Sequence, residues 1–426
     1  MYNTYAFALG TNHTLCKVEI LNVLDFKKIP FKVVEVSKET LLITTPQQIE
    51  TLLSIEDFGS TAKFIKIFTT FSVHAFYENF VKGLTPEIIL NLLGKDVSKR
   101  VVFGLSLYHS GIKFKELNNI WALMPKVCQK VKEQIENQGR SAWFLPIKGR
   151  VLSTVEVDKN LISHEGIEFV ICAGPKLAYF GKTLSVQNYE SYSFRDYGRP
   201  KRDPKSGMTP PKVAKMMINL ARKDKESTFL DPFCGCGTFL QELILLGYKK
   251  IIGSDIKKTA IDNTKINLEW LFKNYSFLKK EDYQIKLIVC NALKISSKIP
   301  LKSIDAVASE PFLGDPKLKF ASIIKIFKEI KKLEIFYTQV FKEFKKIIKD
   351  DGVIVIIFPV FRFKNKFFYL EILEELKKIG FRSKNFLPGS ITDSSILGLK
   401  ITSRNSIIYY RPGQTVSREI FIFQLK

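Results

Sequence analysis

The chain has 426 residues, of which 46% are hydrophobic, and this length and composition predict two or three domains with packed cores. Lysine and arginine outnumber aspartate and glutamate by 66 to 42; the resulting net charge of +24 indicates a polyanionic partner, although a lysine-rich bias of the source genome would give the same excess. The six cysteines are scattered, residues 1–9 lack a basic segment followed by an apolar one, and no apolar run reaches the roughly 18 residues of a membrane span, so we expect a cytoplasmic protein that is neither secreted nor membrane-spanning.

The first 60 residues alternate between strand and helix patterns. Apolar, β-prone runs predict strands at residues 5–9, 31–35 and 41–44, and residues 15–25 predict a helix after the first of them. This order is typical of a small α/β or ferredoxin-like unit, so we predict an N-terminal ferredoxin-like domain at residues 1–60.

The next segment, residues 61–183, is richer in strands. Its long helical pattern covers residues 113–138, and we expect Pro125 to kink this helix or to split it in two. Strands are predicted at residues 62–69, 101–107, 142–145, 151–156, 168–173 and 177–182.

The end of this segment resembles a known RNA-binding module. In order, Arg150-Val151-Leu152-Ser153, Lys159-Asn160-Leu161, Gly166-Ile167-Glu168-Phe169 and Gly181-Lys182-Thr183 are similar to the C-terminal half of a THUMP domain, which occurs in tRNA-modifying enzymes. The resemblance implies a THUMP-like RNA-binding domain at residues 61–183. Candidate phosphate contacts are Lys148, Arg150, Lys159 and Lys182, and a solvated basic face is the alternative interpretation of each.

Residues 184–206 are polar and turn-rich, and we predict a linker there. Aromatic residues alternate with cations such as Arg195 and Arg199, a composition that suits base stacking and phosphate contacts as well as packing between two domains. From the sequence, both interpretations stay open.

A strand, a glycine bend and a helix follow one another at residues 228–246. The central text is Asp231-Pro232-Phe233-Cys234-Gly235-Cys236-Gly237-Thr238, in which the glycines let the backbone approach a ligand closely. The Gly-x-x-x-x-Gly-Lys-Ser/Thr of a phosphate-binding loop is absent, and a carboxylate at the strand end suits a cationic ligand. No Cys/His cluster at ligand spacing accompanies Cys234 and Cys236, so we expect no metal and interpret both as lining residues.

This text closely resembles motif I of S-adenosylmethionine-dependent methyltransferases that act on exocyclic amines of nucleobases, with Cys236 in place of the usual serine. The resemblance implies that Asp231, Phe233, Gly235 and Gly237 bind S-adenosylmethionine. The preceding helical pattern, for which Thr209 is a suitable N-cap, resembles the helix that borders the cofactor in these enzymes.

Two later strand ends match the same family. Residues 250–254 end at Asp255, about 20 residues past the glycines, where a carboxylate is expected to accept hydrogen bonds from both ribose hydroxyls while Ile256 packs on the adenine. Residues 285–289 lead to Asn291 and Ala292. The family has Asp at the Asn291 position, bonded to the adenine amino group, and an Asn oxygen can still accept that bond.

The fourth strand, residues 304–308, leads to Ser309-Glu310-Pro311-Phe312. This text resembles motif IV of the amino-methyltransferases, Asp/Asn/Ser-Pro-Pro-aromatic, which implies that Ser309, Glu310, Pro311 and Phe312 hold the target amine and stack on its base. Because an exocyclic amine is a poor nucleophile, acceptors for its N–H groups and in-line positioning are what it needs. Glu310 departs from the motif: it either supplies a carboxylate that Ser309 lacks or marks an altered substrate or lost activity.

The remaining patterns complete the predicted fold. We predict a helical region at residues 323–348, a strand at 353–358, a helix at 367–379, and a hairpin of 406–410 with 419–424 across a turn at 411–413. The alternation predicts an α/β chain whose residues 207–426 form a Rossmann-like, seven-stranded methyltransferase domain, preceded by an α+β ferredoxin-like and THUMP-like region.

Together with Leu9-Gly10-Thr11-Asn12 near the start, these features resemble archaeal-type tRNA guanine-N2 methyltransferases. The resemblance implies an S-adenosylmethionine-dependent enzyme that methylates the exocyclic N2 of a guanosine in tRNA, at position ten by family transfer. Two alternatives stay open: a DNA amino-methyltransferase, and a non-catalytic RNA-binding protein that has kept the fold. The sequence decides neither between mono- and dimethylation nor the oligomeric state.

Overall fold

The chain folds into two compact units. The computed structural model describes residues 2–94, 100–203, 208–315, 322–364, 366–391, 393–410 and 416–426. The first unit comprises Met1–Ile20, Lys27–Tyr189 and Ile391–Leu399, and the second comprises Leu21–Phe26, Glu190–Ser390 and Lys400–Lys426. Among the described residues, no helix is both long enough and apolar enough to cross a bilayer.

The first unit is built on a single mixed sheet. Its strands are β1 Asn3–Leu9, β2 Lys32–Val36, β3 Thr40–Thr45, β4 Thr61–Ser72, β5 Arg100–His109, β6 Ser141–Phe144, β7 Ile167–Ala173 and β8 Leu177–Val186. Its helices are α1 His13–Phe26, of which Leu21–Phe26 is grouped with the second unit, α2 Phe76–Gly83, α3 Pro86–Leu93, α4 Phe114–Glu136 and α5 Thr154–Asn160. The strand order is β2-β3-β1-β4-β8-β7-β5-β6, and only β5 pairs in parallel, with β6 and β7. One apolar face of α4 packs with α2, α3 and this sheet in a common core.

The predicted boundary at residue 60 does not separate two compact units. Strand β4 begins at Thr61 and pairs with β1 on one side and β8 on the other, so the first 60 residues and the following segment share one sheet. The end of the first unit at Tyr189 lies within the predicted linker. The identification of residues 61–183 as a THUMP-like domain stays a prediction.

The structure corrects one local prediction in the first unit, narrows a second and adds two helices. Residues 151–156, predicted as a strand, lead into helix α5, because Ser153 accepts from the Glu156 backbone and Glu156 accepts from the Ser153 backbone in a capping box. Pro125 lies inside α4 without splitting it. Helices α2 and α3 were not predicted, although Thr85 followed by Pro86 is a typical helix start.

The second unit is a Rossmann-like α/β domain. Its strands are β9 Thr228–Asp231, β10 Lys250–Asp255, β11 Gln284–Val289, β12 Ile304–Ser309, β13 Ile348–Phe363, β14 Lys366–Phe368, β15 Phe381–Ser383, β16 Ile407–Tyr409 and β17 Val416–Leu425, and its helices are α6 Tyr189–Ser193, α7 Pro211–Leu220, α8 Thr238–Leu245, α9 Lys258–Asn274, α10 Ile323–Ile347 and α11 Leu373–Ile379. Seven strands run in the order β11-β10-β9-β12-β13-β17-β15. In addition, β14 pairs with β13 and β16 pairs with β17. The predicted seven-stranded fold is confirmed.

Two details of this unit differ from or extend the prediction. Residues 367–379, predicted as a helix, begin as β14, and only α11 is helical. The predicted hairpin is present as antiparallel pairing of β16 with β17, in which Ile407 faces Ile420; its turn at residues 411–413 lies outside the described residues.

The topology places the carboxyl ends of four strands at one edge. Strands β9, β10, β11 and β12 run parallel, and the chain passes from β9 to β10 on one side and later returns to β12 on the other. In open α/β sheets, ligands bind outside the carboxyl ends of the strands at such a switch point. The polar residues that end these four strands are therefore brought to a common site.

Candidate cofactor and methyl-acceptor site

The bend between β9 and α8 depends on two glycines in left-handed backbone conformations. Gly235 has φ +51° and Gly237 has φ +84°, values that side chains disfavour. A Cβ atom at Gly237 would also lie 2.9 Å from Cγ2 of Thr264. The Thr264 hydroxyl, on α9, donates to the Gly235 carbonyl at 2.8 Å and so stabilises the conformation of the bend.

Asp231, at the end of β9, is tied to β12 across the switch point. The Ser309 hydroxyl donates to Asp231 Oδ1 at 2.5 Å, and the Phe233 N–H donates to the same oxygen at 3.1 Å. Asp231 is buried, and desolvation raises its pKa to about 7; the two hydrogen bonds oppose this shift, and the nearby charges of Asp255 and Glu310 add to it. A cation placed beside this carboxylate would favour its charged form.

Asp255 ends β10, and Asn291 lies two residues past the end of β11. Asp255 accepts from the Gly235 N–H at 3.1 Å through Oδ2 and from the Lys257 N–H at 2.9 Å through Oδ1, which fixes the carboxylate and leaves lone pairs on both oxygens. Asn291 Oδ1 accepts from the Leu293 N–H at 3.0 Å and so caps the following turn. Ile256 lies beside them with 62% of its surface exposed.

Glu310 follows β12, and its carboxylate is bound by Arg418 and Thr209. Arg418, from β17, donates from Nε at 2.9 Å and approaches with Nη2 at 2.8 Å, both at Oε1. The Thr209 hydroxyl donates to Oε2. Next to it, Phe312 is half exposed, and its carbonyl accepts from the Tyr337 hydroxyl at 2.6 Å.

These groups line one open cavity of about 470 Å³, a volume suited to a nucleoside-sized ligand. Ten of the twelve residues predicted for the cofactor and the target base contribute to its wall: Asp231, Phe233, Gly235, Asp255, Ile256, Asn291, Ala292, Glu310, Pro311 and Phe312. Cys234 and Cys236 line it too, as predicted. Among the described residues, no cluster of His, Cys, Asp and Glu suits a metal ion.

Two predicted residues lie behind the wall instead. Gly237 is the N-cap of α8 and shapes the bend from outside the cavity. Ser309 is fully buried and directs its hydroxyl to Asp231, so a direct contact of Ser309 with the target amine is not supported by this geometry. Its position instead makes Ser309 a residue that orients the Asp231 carboxylate.

The predicted phosphate contacts fall into two groups. In the first unit Lys148 and Lys159 are exposed, whereas Arg150 is ion-paired with Glu39 at 2.8 Å and Lys182 donates to the Leu92 carbonyl at 2.5 Å. The four stay predictions as RNA contacts.

Arg195 and Arg199, candidates for RNA contacts in the linker, are both buried, which favours the packing interpretation for these two side chains. Arg195 Nε donates to Glu242 Oε1 of α8 at 2.6 Å, and Arg199 Nη1 donates to the Thr238 hydroxyl at 2.7 Å. The Arg195–Glu242 pair satisfies two buried charges that would otherwise be costly, and Arg199 links the start of the second unit to α8 through a hydroxyl.

Sequence reasoning missed three contributors to the site. Thr209 was interpreted as a helix cap, but α7 is capped by Pro210 and the Thr209 hydroxyl bonds Glu310. Arg418 gave a weaker signal, because an arginine beside the apolar run of β17 needs a partner if it is buried. Phe336, on α10, lines the cavity and meets Phe233 edge to face at 6.0 Å, and nothing in its helical pattern distinguishes it.

Comparison with known proteins gives consistent matches. The family model described as UPF0020, RMKL-like, methyltransferase domain, matches residues 199–311. A protein of Methanocaldococcus jannaschii named tRNA (guanine(10)-N2)-dimethyltransferase is 32% identical over 149 residues, which are 35% of this chain and 37% of that protein. A probable tRNA (guanine(10)-N2)-dimethyltransferase of Methanothermococcus thermolithotrophicus is 33% identical over 122 residues, 28% of this chain and 70% of that protein.

Similarity to a solved structure extends over the whole chain. The crystal structure of TrmN from Thermus thermophilus matches with a TM-score of 0.53 and 12% identity, covering 100% of both chains, and at this identity the match supports the fold alone. The sequence match to the M. jannaschii relative, in contrast, spans little more than a third of that protein's length.

Proposed function

The chain belongs to the tRNA (guanine(10)-N2)-dimethyltransferase family, and we propose that it transfers methyl groups from S-adenosylmethionine to the exocyclic N2 of a guanosine in tRNA. The observation that carries this proposal is the cavity at the switch point, where a carboxylate-edged glycine bend faces Glu310 and Phe312. By the names of its relatives, the nucleotide is position ten and the product is dimethylated.

The chemistry of the cavity wall suits S-adenosylmethionine. We assign the ribose hydroxyls to the lone pairs left on Asp255, the adenine to the exposed face of Ile256 and the Asn291–Ala292 turn, and the cationic methionine end to the side of Asp231 and Gly235. Gly235 lines the cavity, and the absence of a side chain at this position leaves space for the ligand. When bound, the cofactor supplies an activated methyl group on a sulfonium centre.

The acceptor side of the cavity suits a flat base with an amine. Phe312 offers a half-exposed ring for stacking, and Glu310 offers a carboxylate oxygen to an amine N–H. Because these groups are fixed by Tyr337 and Arg418, they position the amine without reorganisation. Placing the nitrogen lone pair in line with the methyl group is the main contribution that we assign to the protein.

We assign tRNA binding to the first unit, and we expect the positive charge of the whole chain to favour it. The net charge of +24 favours a polyanion, and Lys148 and Lys159 are exposed candidates for phosphate contacts. A guanosine inside a paired region must be extruded to reach a cavity of this kind.

Nucleoside analysis tests the proposal. The purified chain is incubated with labelled S-adenosylmethionine and, in separate reactions, bulk tRNA or DNA, and the nucleosides are analysed by mass spectrometry. We expect N2-methylated guanosine from tRNA and unmodified DNA. Methyl transfer to DNA alone would favour the DNA amino-methyltransferase, and cofactor binding by calorimetry without transfer to either substrate would favour a non-catalytic RNA-binding protein.

A further inference from the structure

Among the described residues, hydrogen bonds to the Glu310 carboxylate leave an acceptor position for a ligand. An ionised carboxylate only accepts hydrogen bonds, at about four lone-pair positions. Arg418 Nε takes one of them on Oε1 at 2.9 Å, and its Nη2 lies 2.8 Å from the same oxygen as part of the ion pair; the Thr209 hydroxyl takes one position on Oε2. Within the part of the chain that the structure describes, Oε2 therefore keeps an open position, on a side chain that is 10% exposed and lines the cavity.

The orientation of this oxygen is set by three different parts of the unit. Arg418 comes from β17, Thr209 precedes α7, and Glu310 follows β12. Arg418 and Thr209 are themselves buried, so the carboxylate has little freedom to turn away from a ligand. A single, fixed and acceptor-only oxygen discriminates between hydrogen-bond donors and acceptors on the edge of a base.

Guanine and adenine differ at the atom beside the amine. Guanine presents two adjacent donors, the N2–H of its amine and the ring N1–H, and one oxygen can accept from both. Adenine presents its N6–H beside a ring nitrogen that carries a lone pair, which a carboxylate oxygen repels. Sites built to bond a specific donor reject analogues that lack it more strongly than apolar pockets do.

We propose that Glu310, held by Arg418 and Thr209, is the residue that selects guanine, because the open position on Oε2 accepts a bifurcated hydrogen bond from the ring N1–H and the amine N–H. The proposal rests on the proposed methylation of guanosine N2. It also explains the departure from proline in the motif: the carboxylate adds a check on base identity, while Phe312 stacks on either purine without distinguishing them.

The test compares guanosine with 2-aminopurine, which keeps the 2-amine but has a lone pair at N1. Synthetic tRNA carries one or the other at the nucleotide that the wild-type protein methylates, and kcat/KM for methyl transfer is measured on both. We expect the wild-type protein to prefer guanosine by at least about 100-fold. In Glu310→Gln, whose amide can donate to the N1 lone pair, we expect the preference to fall below about 5-fold.

Two further variants keep this test decisive. Glu310→Gln leaves the buried Arg418 cation without its carboxylate, so the double variant Glu310→Gln/Arg418→Gln replaces the ion pair by two neutral amides. Glu343→Gln serves as a matched control, because its carboxylate accepts from Ser296 outside the cavity. Calorimetry with S-adenosylhomocysteine verifies that each variant is folded and retains the cofactor site.

The outcomes separate this proposal from the proposed function. A preference that collapses in the single or the double Glu310 variant and persists in Glu343→Gln supports the selection role. A preference that persists in both Glu310 variants with the cofactor site intact overturns it, even though guanosine is methylated. If the wild-type protein methylates no guanosine in any tRNA, the proposed function itself fails.

Discussion

At the scale of single residues, Asp255 shows how one carboxylate serves both the backbone and a ligand. It fixes the bend through the N–H groups of Gly235 and Lys257, and it is assigned to the ribose. We expect Asp255→Ala to weaken S-adenosylhomocysteine binding by about 10- to 100-fold, because one or two charge-assisted hydrogen bonds are lost. Calorimetry measures this affinity, and tRNA binding by filter assay is expected to stay within about twofold. An equal loss of both would contradict the role assigned to Asp255.

Asp231 is buried, and in the absence of a cationic ligand burial favours the neutral form of its carboxyl group. Its pKa is raised from 3.8 to about 7, chiefly by desolvation, so the folded chain binds this proton more tightly than the unfolded chain. The contribution of Asp231 to stability is therefore fully present below about pH 4 and is lost as the pH rises to about 7.

Replacing Asp231 by Asn removes this titration and keeps an acceptor for Ser309 and Phe233. In the absence of cofactor, we expect Asp231→Asn to be more stable than the wild-type protein at pH 8, by up to about 4 kcal/mol, with the difference shrinking towards pH 5. Urea unfolding of both proteins at the two pH values measures the difference. A gain of equal size at pH 5 and pH 8 would show that ionisation of Asp231 is not its source.

Site residues that follow a strand end within a motif could be predicted from the sequence. Contacts made by residues distant in the chain could not. Asp231, Asp255 and Asn291 belong to local strand–loop text, so the sequence identified them. The partners that decide what Ser309 and Glu310 do are 78 and 108 residues away in the chain. Burial of Ser309 and the holding of Glu310 are products of the sheet order, which no local pattern contains.

At the scale of elements, the role of the β9–α8 bend is tested by comparing Gly237, in the bend, with Gly247, which follows α8 and has a similar φ angle. Gly237 has φ +84° and Gly247 has φ +83°, but an added Cβ meets Thr264 only at Gly237, and nothing within 4 Å at Gly247. We expect Gly247→Ala to cost about 1–2 kcal/mol of unfolding free energy from the left-handed conformation alone, and Gly237→Ala to cost about 1–3 kcal/mol more because of the contact.

Urea unfolding and S-adenosylhomocysteine affinity, measured on both glycine variants, distinguish the two effects. Only Gly237→Ala is expected to weaken ligand binding. The added methyl group meets Thr264 and so disturbs the hydrogen bond from Thr264 to the Gly235 carbonyl in the bend. If the two variants behave alike in both measurements, packing against Thr264 does not set the shape of the bend.

Element types were predictable from periodicity except where a local hydrogen bond outweighed side-chain propensity. The β-branched residues around Val151 favour a strand, yet the reciprocal bonds of Ser153 and Glu156 start α5. Conversely, Pro125 lies well inside α4, and the buried face that begins at Leu117 keeps the helix continuous past it. In both cases the deciding interaction was present in the sequence as a spacing, not as a propensity.

At the scale of the whole molecule, domain limits were harder to predict than the fold of either unit. Strand and helix patterns identified the Rossmann-like unit because its parallel strands alternate with helices. In the first unit, β4 joins strands from both predicted domains into one sheet, and pairing between distant antiparallel strands leaves no composition change at residue 60. A domain limit in such a sheet depends on register and not on local sequence.

The charge of the whole chain leads to a prediction that separates the two binding events. Because the net charge is +24, proposed tRNA binding releases counterions from the phosphates, and we expect its affinity to fall at least about tenfold between 50 and 200 mM salt. The cofactor cavity is different: its wall carries the carboxyl groups of Asp231, Asp255 and Glu310. Because S-adenosylhomocysteine has no net charge, its affinity is expected to change less than about twofold over the same range. Filter binding and calorimetry on one preparation measure both. Salt-insensitive tRNA binding would show that the excess lysines reflect composition and not a phosphate-binding surface.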